Sequence, residues 1–378
     1  MATLHYMTTT HFDHGALERL GRELQRLGIS RPLICTDRGL VAAGLVETVQ
    51  AQLPEGMTAT VFDGTPANPT ESATLAALGL YREMGCDGIV AVGGGSSMDL
   101  AKGVALLATH PEPLAQYAAV EKGSRKIGSL APLIAIPTTA GTGSEVSLGA
   151  VIITDDGRKL TFASQNLIPR VAICDPSLTL GLPPGLTAAT GMDAMTHCIE
   201  TFLSPTIDPP ADAIALDGLA RGIGAGWLER AVADGSDRDA RWHMMMASTE
   251  GAMAFVKGLG AVHAMSHAAG RIRSLNPHHG TLNAVILPAV LRFNRDHCGD
   301  KYARLRNAMN LPPATDIAEA VERLNERLKL PANLRAMGMT DAMLPELIAH
   351  SVADLNGFTN PRKASAEDYE RLFADAMG

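Results

Sequence analysis

The feature that most restricts this chain is a change of periodicity partway along it. Up to about residue 180, short apolar runs rich in Val and Ile alternate with longer amphipathic stretches: PLICT at 32–36, TATVF at 58–62, DGIVAV at 87–92 and PLIAIP at 132–137. Short runs separated by helix-length segments read as parallel strands, because a parallel neighbour is reached only through a long crossover. VIITDDGRKLTF at 151–162 departs from this, since Asp-Asp-Gly between two β-prone runs signals a hairpin standing apart from the main sheet. After Leu182-Pro183-Pro184 the chain turns to helix-compatible stretches of Ala, Met, Leu and Glu, broken by SPTIDPP at 204–210 and NLPP at 310–313. The expectation is an α/β N-terminal domain with a parallel sheet over 1–184 and an all-α C-terminal domain over 185–378.

A chain of 378 residues, 46% hydrophobic and 19% charged, can supply two such cores. The net charge of -8 and the lack of a dense Lys/Arg run give no attraction for phosphate backbones, so no nucleic acid partner is expected. The cysteines, Cys35, Cys86, Cys174, Cys198 and Cys298, are odd in number and scattered without a C-x-x-C pair, which suggests neither disulfides nor a cysteine-ligated zinc. Reduced thiols fit a cytoplasmic location. The opening MATLHYMTTTHFDHG has no basic region followed by an apolar stretch, and no later run reaches about 18 uninterrupted apolar residues. The chain therefore reads as soluble, unexported and without a membrane partner.

GIVAVGGGSSMDLAKGVALLA runs from an apolar strand through Gly93, Gly94 and Gly95 into a helix predicted to begin near Ser96. Glycines let a backbone approach an anion, and the free N–H groups of a helix N-terminus suit a pyrophosphate. The spacing is neither G-x-G-x-x-G nor a P-loop, so tight-turn glycines are the alternative. A second loop, Pro137-Thr138-Thr139-Ala140-Gly141-Thr142-Gly143-Ser144, also follows a strand and offers hydroxyls to phosphate and ribose. Asp37, closing the first strand, could accept from ribose hydroxyls and repel a 2′-phosphate, favouring NAD over NADP; the alternative is an Asp that serves its own turn.

Asp193 and His197 stand four apart in a helical segment and share a face. Downstream, His263, His267, His278 and His279 put four of the chain's twelve histidines into one short stretch. Imidazoles with one carboxylate suit a divalent first-row metal, which would act as a Lewis acid on a substrate oxygen. The alternative is a set of packing and capping histidines.

Taken together, GGGSSMDLAK, IPTTAGTGSEVS, LPPGLTAATGMDAMTHCIE, GLGAVHAMSHAAG and HHGTLNAVILP resemble the signatures of the iron-containing (group III) alcohol dehydrogenase family, in that family's order and over essentially the whole chain. The resemblance implies a dehydroquinate synthase-like fold: a dinucleotide-binding α/β domain, a helical metal- and substrate-binding domain and a metal in the cleft between them. It implies metal ligands Asp193, His197, His263 and His279, and a catalytic proton relay at His267. Cofactor contacts carried over are Asp37, Gly94, Gly95, Ser96, Asp99, Thr138, Thr139 and Ser144, with Lys159 as a further candidate. The implied cofactors are NAD and a divalent metal, Fe²⁺ first and Zn²⁺ as the alternative. The implied reaction is hydride transfer between NAD(H) and a small alcohol, aldehyde or ketone, in a homodimer or larger homo-oligomer.

Two departures bear on these expectations. The last histidine motif, Pro277-His278-His279-Gly280, follows a longer segment than is usual, so His278 is the alternative to His279 as ligand. Phe255-Val256-Lys257 occupies a stretch where relatives carry small polar residues; Lys257 is either a solvated surface lysine or a charge favouring an anionic substrate. The competing functions are reduction of an anionic carbonyl compound, as in maleylacetate reductases, and non-catalytic metal binding.

Overall fold

The computed structural model describes residues 8–272 and 274–378; part of the opening segment read above lies outside the described residues. Eight strands are present among the described residues: β1 Thr9–Phe12, β2 Pro32–Cys35, β3 Thr60–Phe62, β4 Gly88–Gly93, β5 Leu133–Pro137, β6 Gly149–Ile153, β7 Lys159–Ala163 and β8 Val171–Cys174. Six of them form one sheet in the order β1-β8-β5-β4-β2-β3, with every adjacent pair parallel. The four runs read from the sequence are β2 to β5. The Asp-Asp-Gly segment is a hairpin, with β6 and β7 forming a separate antiparallel sheet.

Side-chain alternation along the strands explains why the sheet is covered on both faces. Leu33, Cys35, Ile89, Ala91, Leu133 and Ala135 enter one buried cluster, while Ile34, Val90, Val92, Ile134, Ile136, Val171 and Ile173 enter another. Two apolar faces require helices on both sides, as parallel sheets do. The connections also reverse direction within the sheet. From β2 the chain moves outward to β3, whereas from β4 it moves the other way to β5, although β2 and β4 are neighbours. The crevice beyond the carboxyl ends of such a pair is where open α/β sheets bind ligands.

By compactness the described residues divide into one unit of 8–139 with Gly143–Thr179 and another of Ala140–Thr142 with 180–378. No strand occurs among the described residues of the second part of the chain. At its centre lies the helix Pro184–Leu203, buried continuously from Thr187 to Leu203. Proline at its first position costs no intrahelical hydrogen bond, and its last carbonyls are capped by lysines: Lys301 Nζ donates to Phe202 O and Ser204 O, both at 2.8 Å. Among the described residues no helix is long and apolar enough to cross a membrane.

Candidate functional site

Both predicted cofactor loops begin at carboxyl ends of sheet strands. Gly94 is the N-cap of the helix Gly95–Leu107, which starts one residue earlier than the sequence suggests. The second loop is tied to the first: Thr138 N donates to Gly93 O at 3.0 Å, and a Cβ on Gly94 would stand 3.3 Å from Thr139 Oγ1. Asp99, one turn into the helix, accepts from Ser144 Oγ at 2.7 Å and from Val151 N at 2.8 Å. One turn further, buried Lys102 donates to Gly149 O at 2.7 Å and Ser147 O at 3.0 Å. Burial pushes the lysine's pKa down to about 8, against the pull of Asp99 and Glu145. Asp99 and Lys102 thus fasten the second loop and β6 to the helix that follows the first.

The remaining predicted cofactor residues show how much of each side chain stays available. Ser96 Oγ donates to Ala67 O at 2.5 Å, and Lys159 Nζ lies 3.5 Å from Asn68 Oδ1. Asp37 caps the helix Arg38–Ala42, accepting from Gly39 N and Leu40 N through Oδ1. Its turn-serving role is therefore present, and it occupies one of the two carboxylate oxygens.

In the helical unit the polar residues of Pro184–Leu203 sort into two kinds. Thr196 and Thr201 turn their hydroxyls back to Met192 O and His197 O in their own helix. Asp193, His197 and Glu200, spaced by four and three, lie along one buried face with no such backbone partner in the helix. The other residues they need come from two further helices. Ala261–Ala269 carries His263 and His267, and His279–Asn294 carries His279 and Asn283. Close approach is possible because Gly280 faces Asp193: a Cβ there would come within 2.2 Å of Ala189 O.

The imidazoles gather around one carboxylate oxygen. From Asp193 Oδ1, the Nε2 atoms of His197, His279 and His263 are 3.4, 3.7 and 3.9 Å away. Ligand atoms bound at about 2.1 Å around a tetrahedral metal lie about 3.4 Å apart, so this spacing fits one cation. Asp193, His197 and His263 form the tightest set; His279 adjoins it, while the neighbouring His278 side chain is exposed. Burial drives His197 to the neutral form, pushing its pKa down to about 4 despite Asp193. The rings support each other, His197 stacking on His263 at 4.8 Å with Phe255 edge-on at 4.6 Å.

Asn283 gives the clearest reading of this convergence. Its single amide nitrogen lies 2.7 Å from Asp193 Oδ1, 3.1 Å from His279 Nε2 and 3.2 Å from His263 Nε2. Two N–H bonds face three acceptors, and the amide's own Oδ1 is buried without a partner. Lone pairs thus converge on one small volume that calls for positive charge. The residues present fit a divalent metal.

Glu200 and Asp354 orient the histidines, and sequence reasoning missed both. Glu200 Oε2 accepts from His263 Nδ1 at 2.6 Å and Oε1 from Val262 N at 2.7 Å, so Nε2 keeps its lone pair for the centre. A side chain on Gly260 would stand 2.6 Å from Glu200 Oε1, so that glycine keeps the carboxylate's approach open. Burial opposes charge on His263, yet Glu200, with Asp193 and Asp354, outweighs it and raises the pKa. His267 Nδ1 donates to Asp354 Oδ2 at 3.0 Å, and its ring is 5.5 Å from His279 and 6.0 Å from His263. Asn356 in turn fixes Asp354, donating to Oδ1 through its backbone N–H and its amide. Glu200 had a signal, being three residues beyond His197; Asp354 had none.

Lys257 corrects both sequence-based alternatives. It is 1% exposed, pairs with Asp212 and donates to Phe202 O at 3.3 Å. An ammonium at the end of a helix carrying buried polar groups is held by that helix's carbonyls and a carboxylate, leaving it neither solvated nor available to a substrate.

A doubly wound sheet with glycine-rich loops at its switch point, in one chain with a helical unit bearing an Asp/His centre, defines a metal- and dinucleotide-using oxidoreductase. Residues 8–176 match the family described as iron-containing alcohol dehydrogenase, and 187–377 match the Fe-containing alcohol dehydrogenase family, C-terminal. The chain is 56% identical over 385 residues to the 4-hydroxybutyrate dehydrogenase of Cupriavidus necator, covering 100% of each. Its fold matches 1,3-propanediol oxidoreductase with a TM-score of 0.93, 36% identity and 100% of both chains covered. It also matches the sulfoacetaldehyde reductase of Bifidobacterium kashiwanohense, solved in complex with NAD⁺, with a TM-score of 0.89, 26% identity and coverage of 100% and 98%. This chain belongs to the iron-containing alcohol dehydrogenase family and is an oxidoreductase acting on alcohols.

Proposed function

We propose that the enzyme passes hydride between NAD(H) and a short ω-hydroxy carboxylate of the 4-hydroxybutyrate type. The observation that carries the alcohol chemistry is the convergence of Asp193, His197, His263 and His279 on one point. The substrate class is supported by the 56% identity to a 4-hydroxybutyrate dehydrogenase along the full chain. NAD is supported by the NAD⁺-bound neighbour and by the remaining oxygen of Asp37 at the switch point, which suits a ribose diol and opposes a 2′-phosphate. The five cysteines, all buried and none in a disulfide among the described residues, support a reducing, cytoplasmic location.

Asp193, His197, His263 and His279 hold the metal; iron is the family's ion, and the donor set also suits zinc. When bound, such a cation would supply Lewis-acid polarisation of the substrate hydroxyl, and NAD would supply the hydride acceptor. The protein's own work is orientation and proton handling. Glu200 keeps the proton of His263 on Nδ1. Asp354 does the same for His267, whose Nε2 is the acceptor for the hydroxyl proton in oxidation and the donor in the reverse direction. The backbone N–H groups at Gly94–Ser96 bind the pyrophosphate.

The test is a comparison of kcat/KM for 4-hydroxybutyrate, propane-1,3-diol and butan-1-ol, each with NAD⁺ and NADP⁺. The expected outcome is a preference for the hydroxy acid with NAD⁺. A preference for either uncharged alcohol would refute the substrate class, and one for NADP⁺ would refute the role of Asp37.

A further inference from the structure

If the substrate carries a carboxylate, some cation must meet it, and the obvious ones are already engaged. Lys257 is paired with Asp212, and Lys301 is spent on helix-end carbonyls. The buried Arg241 donates to Thr187 Oγ1, Gly235 O and Leu182 O. Arg292 holds Asp375 and Glu322, and Arg362 holds Asp368 while stacking on Phe293.

Arg271 is different. Its Nε is buried and has no hydrogen-bond partner, alone in this among the cationic nitrogens of the described residues. Desolvating a guanidinium N–H without an acceptor opposes folding. A buried polar group left unsatisfied therefore asks for an explanation, and a ligand that brings its own acceptor is a natural one.

Its position makes that ligand the substrate. Arg271 follows the helix Ala261–Ala269. The α-helix ends at Ala269; Gly270 N donates to Ser266 O at 2.8 Å, and Arg271 N to Ala268 O at 3.2 Å closes one tighter, 3₁₀-type turn beyond it. His263, His267 and Arg271 recur at every fourth residue, with Arg271 next in the row after the proton acceptor. Neighbours on such a row stand about 5–6 Å apart, and the rings of His263 and His267 are 6.0 Å apart. At about 3.3–3.6 Å per three bonds, an extended four-carbon hydroxy acid spans about 6 Å from hydroxyl to carboxylate oxygen. A hydroxyl beside the histidines leaves the carboxylate one turn further on.

We infer that Arg271 is the specificity-determining residue that binds the distal carboxylate of the substrate. The inference rests on the ω-hydroxy carboxylate reading above and adds the group that reads the charge. A planar guanidinium binds a carboxylate through two parallel N–H bonds, a geometry that a lysine reproduces only in part.

The experiment compares wild type, Arg271→Gln and Arg271→Lys in the metal- and NAD-loaded enzyme. Steady-state kinetics are measured with 4-hydroxybutyrate and with butane-1,4-diol, in which a second hydroxymethyl group replaces the carboxylate. Calorimetric titration with butyrate gives a readout that needs no turnover. For Arg271→Gln we expect KM for 4-hydroxybutyrate and Kd for butyrate to rise at least about tenfold, with diol kinetics within about twofold of wild type, since a hydrogen bond to a charged group is lost. Arg271→Lys should fall between the two. Equal losses on acid and diol, or an unchanged butyrate Kd, would overturn the assignment of Arg271 while leaving the substrate class standing. A wild-type enzyme that does not prefer the acid over the diol would instead overturn the substrate class, and this inference with it.

Discussion

In the sheet unit the polar side chains predicted to meet the cofactor are largely turned toward one another. Ser144 meets Asp99, Ser96 meets Ala67 O, and Asp37 caps its own helix. In the helical unit the polar side chains converge on a common point and direct lone pairs there, with the Asn283 amide nitrogen set against three of them. The first arrangement exposes backbone N–H groups and uses side chains to hold the loops that present them. The second makes the side chains the chemistry and relies on remote carboxylates to orient them. A dinucleotide's phosphates can be bound by main chain from any sequence that allows the approach; a metal and a proton relay need particular atoms.

The comparison predicts different responses to substitution. The largest effect should come from Asp193→Ala, which removes the oxygen around which the imidazoles gather; kcat/KM should fall about a thousandfold or more, with several kcal/mol of charge stabilisation lost. Elemental analysis should show lost metal while NADH affinity stays near wild type. His267→Ala should cost about 10²- to 10⁴-fold in kcat with little change in metal content or cofactor affinity; equal loss of NADH binding would count against its role as proton acceptor. Glu200→Gln should weaken metal affinity about 10- to 100-fold, measured by competition with a chelator.

On the other side of the comparison, Gly94→Val should raise the Kd for NADH about tenfold or more by keeping the pyrophosphate from the backbone, and leave the metal in place. If this variant lost metal as well, the two functions would not be separable by unit. The smallest effect concerns Glu250, whose pKa is pushed up to about 8 by burial and then by the Asp217 carboxylate. A raised carboxyl pKa means that the folded state loses stability as pH rises from the usual carboxyl range through that value. Glu250→Gln, whose amide can still donate to Asp217, should therefore raise Tm by about 3 °C at pH 8 and lose this advantage near pH 4. A gain that did not depend on pH would show that ionisation of Glu250 is not the cause.

The legibility of these regions in the sequence follows the same division. Strands β2 to β5 are apolar runs bounded by turn residues, so a local pattern suffices to find them. The Asp-Asp-Gly hairpin is equally local. At the proposed metal centre, helical spacing is enough to set Asp193 beside His197 and His263 beside His267. What spacing does not supply is the partner drawn from another helix: Glu200 to His263, Asp354 to His267, Asn283 to Asp193. Two of these did leave traces, Glu200 three residues after His197 and Asn283 four after His279, on the faces that carry those histidines. Asp354 meets His267 only because the chain folds back from 87 positions away. Lys257 misled for a related reason: its surroundings are helix-end carbonyls and an aspartate contributed from elsewhere.

The most direct test of the division of labour is to strip the protein with chelator, measure NADH binding by fluorescence, and follow turnover of 4-hydroxybutyrate before and after reloading with Fe²⁺ or Zn²⁺. The account predicts that the stripped protein binds NADH as the loaded one does, has no turnover, and regains it on adding metal. Turnover that survives metal removal, or NADH binding that vanishes with it, would contradict the account.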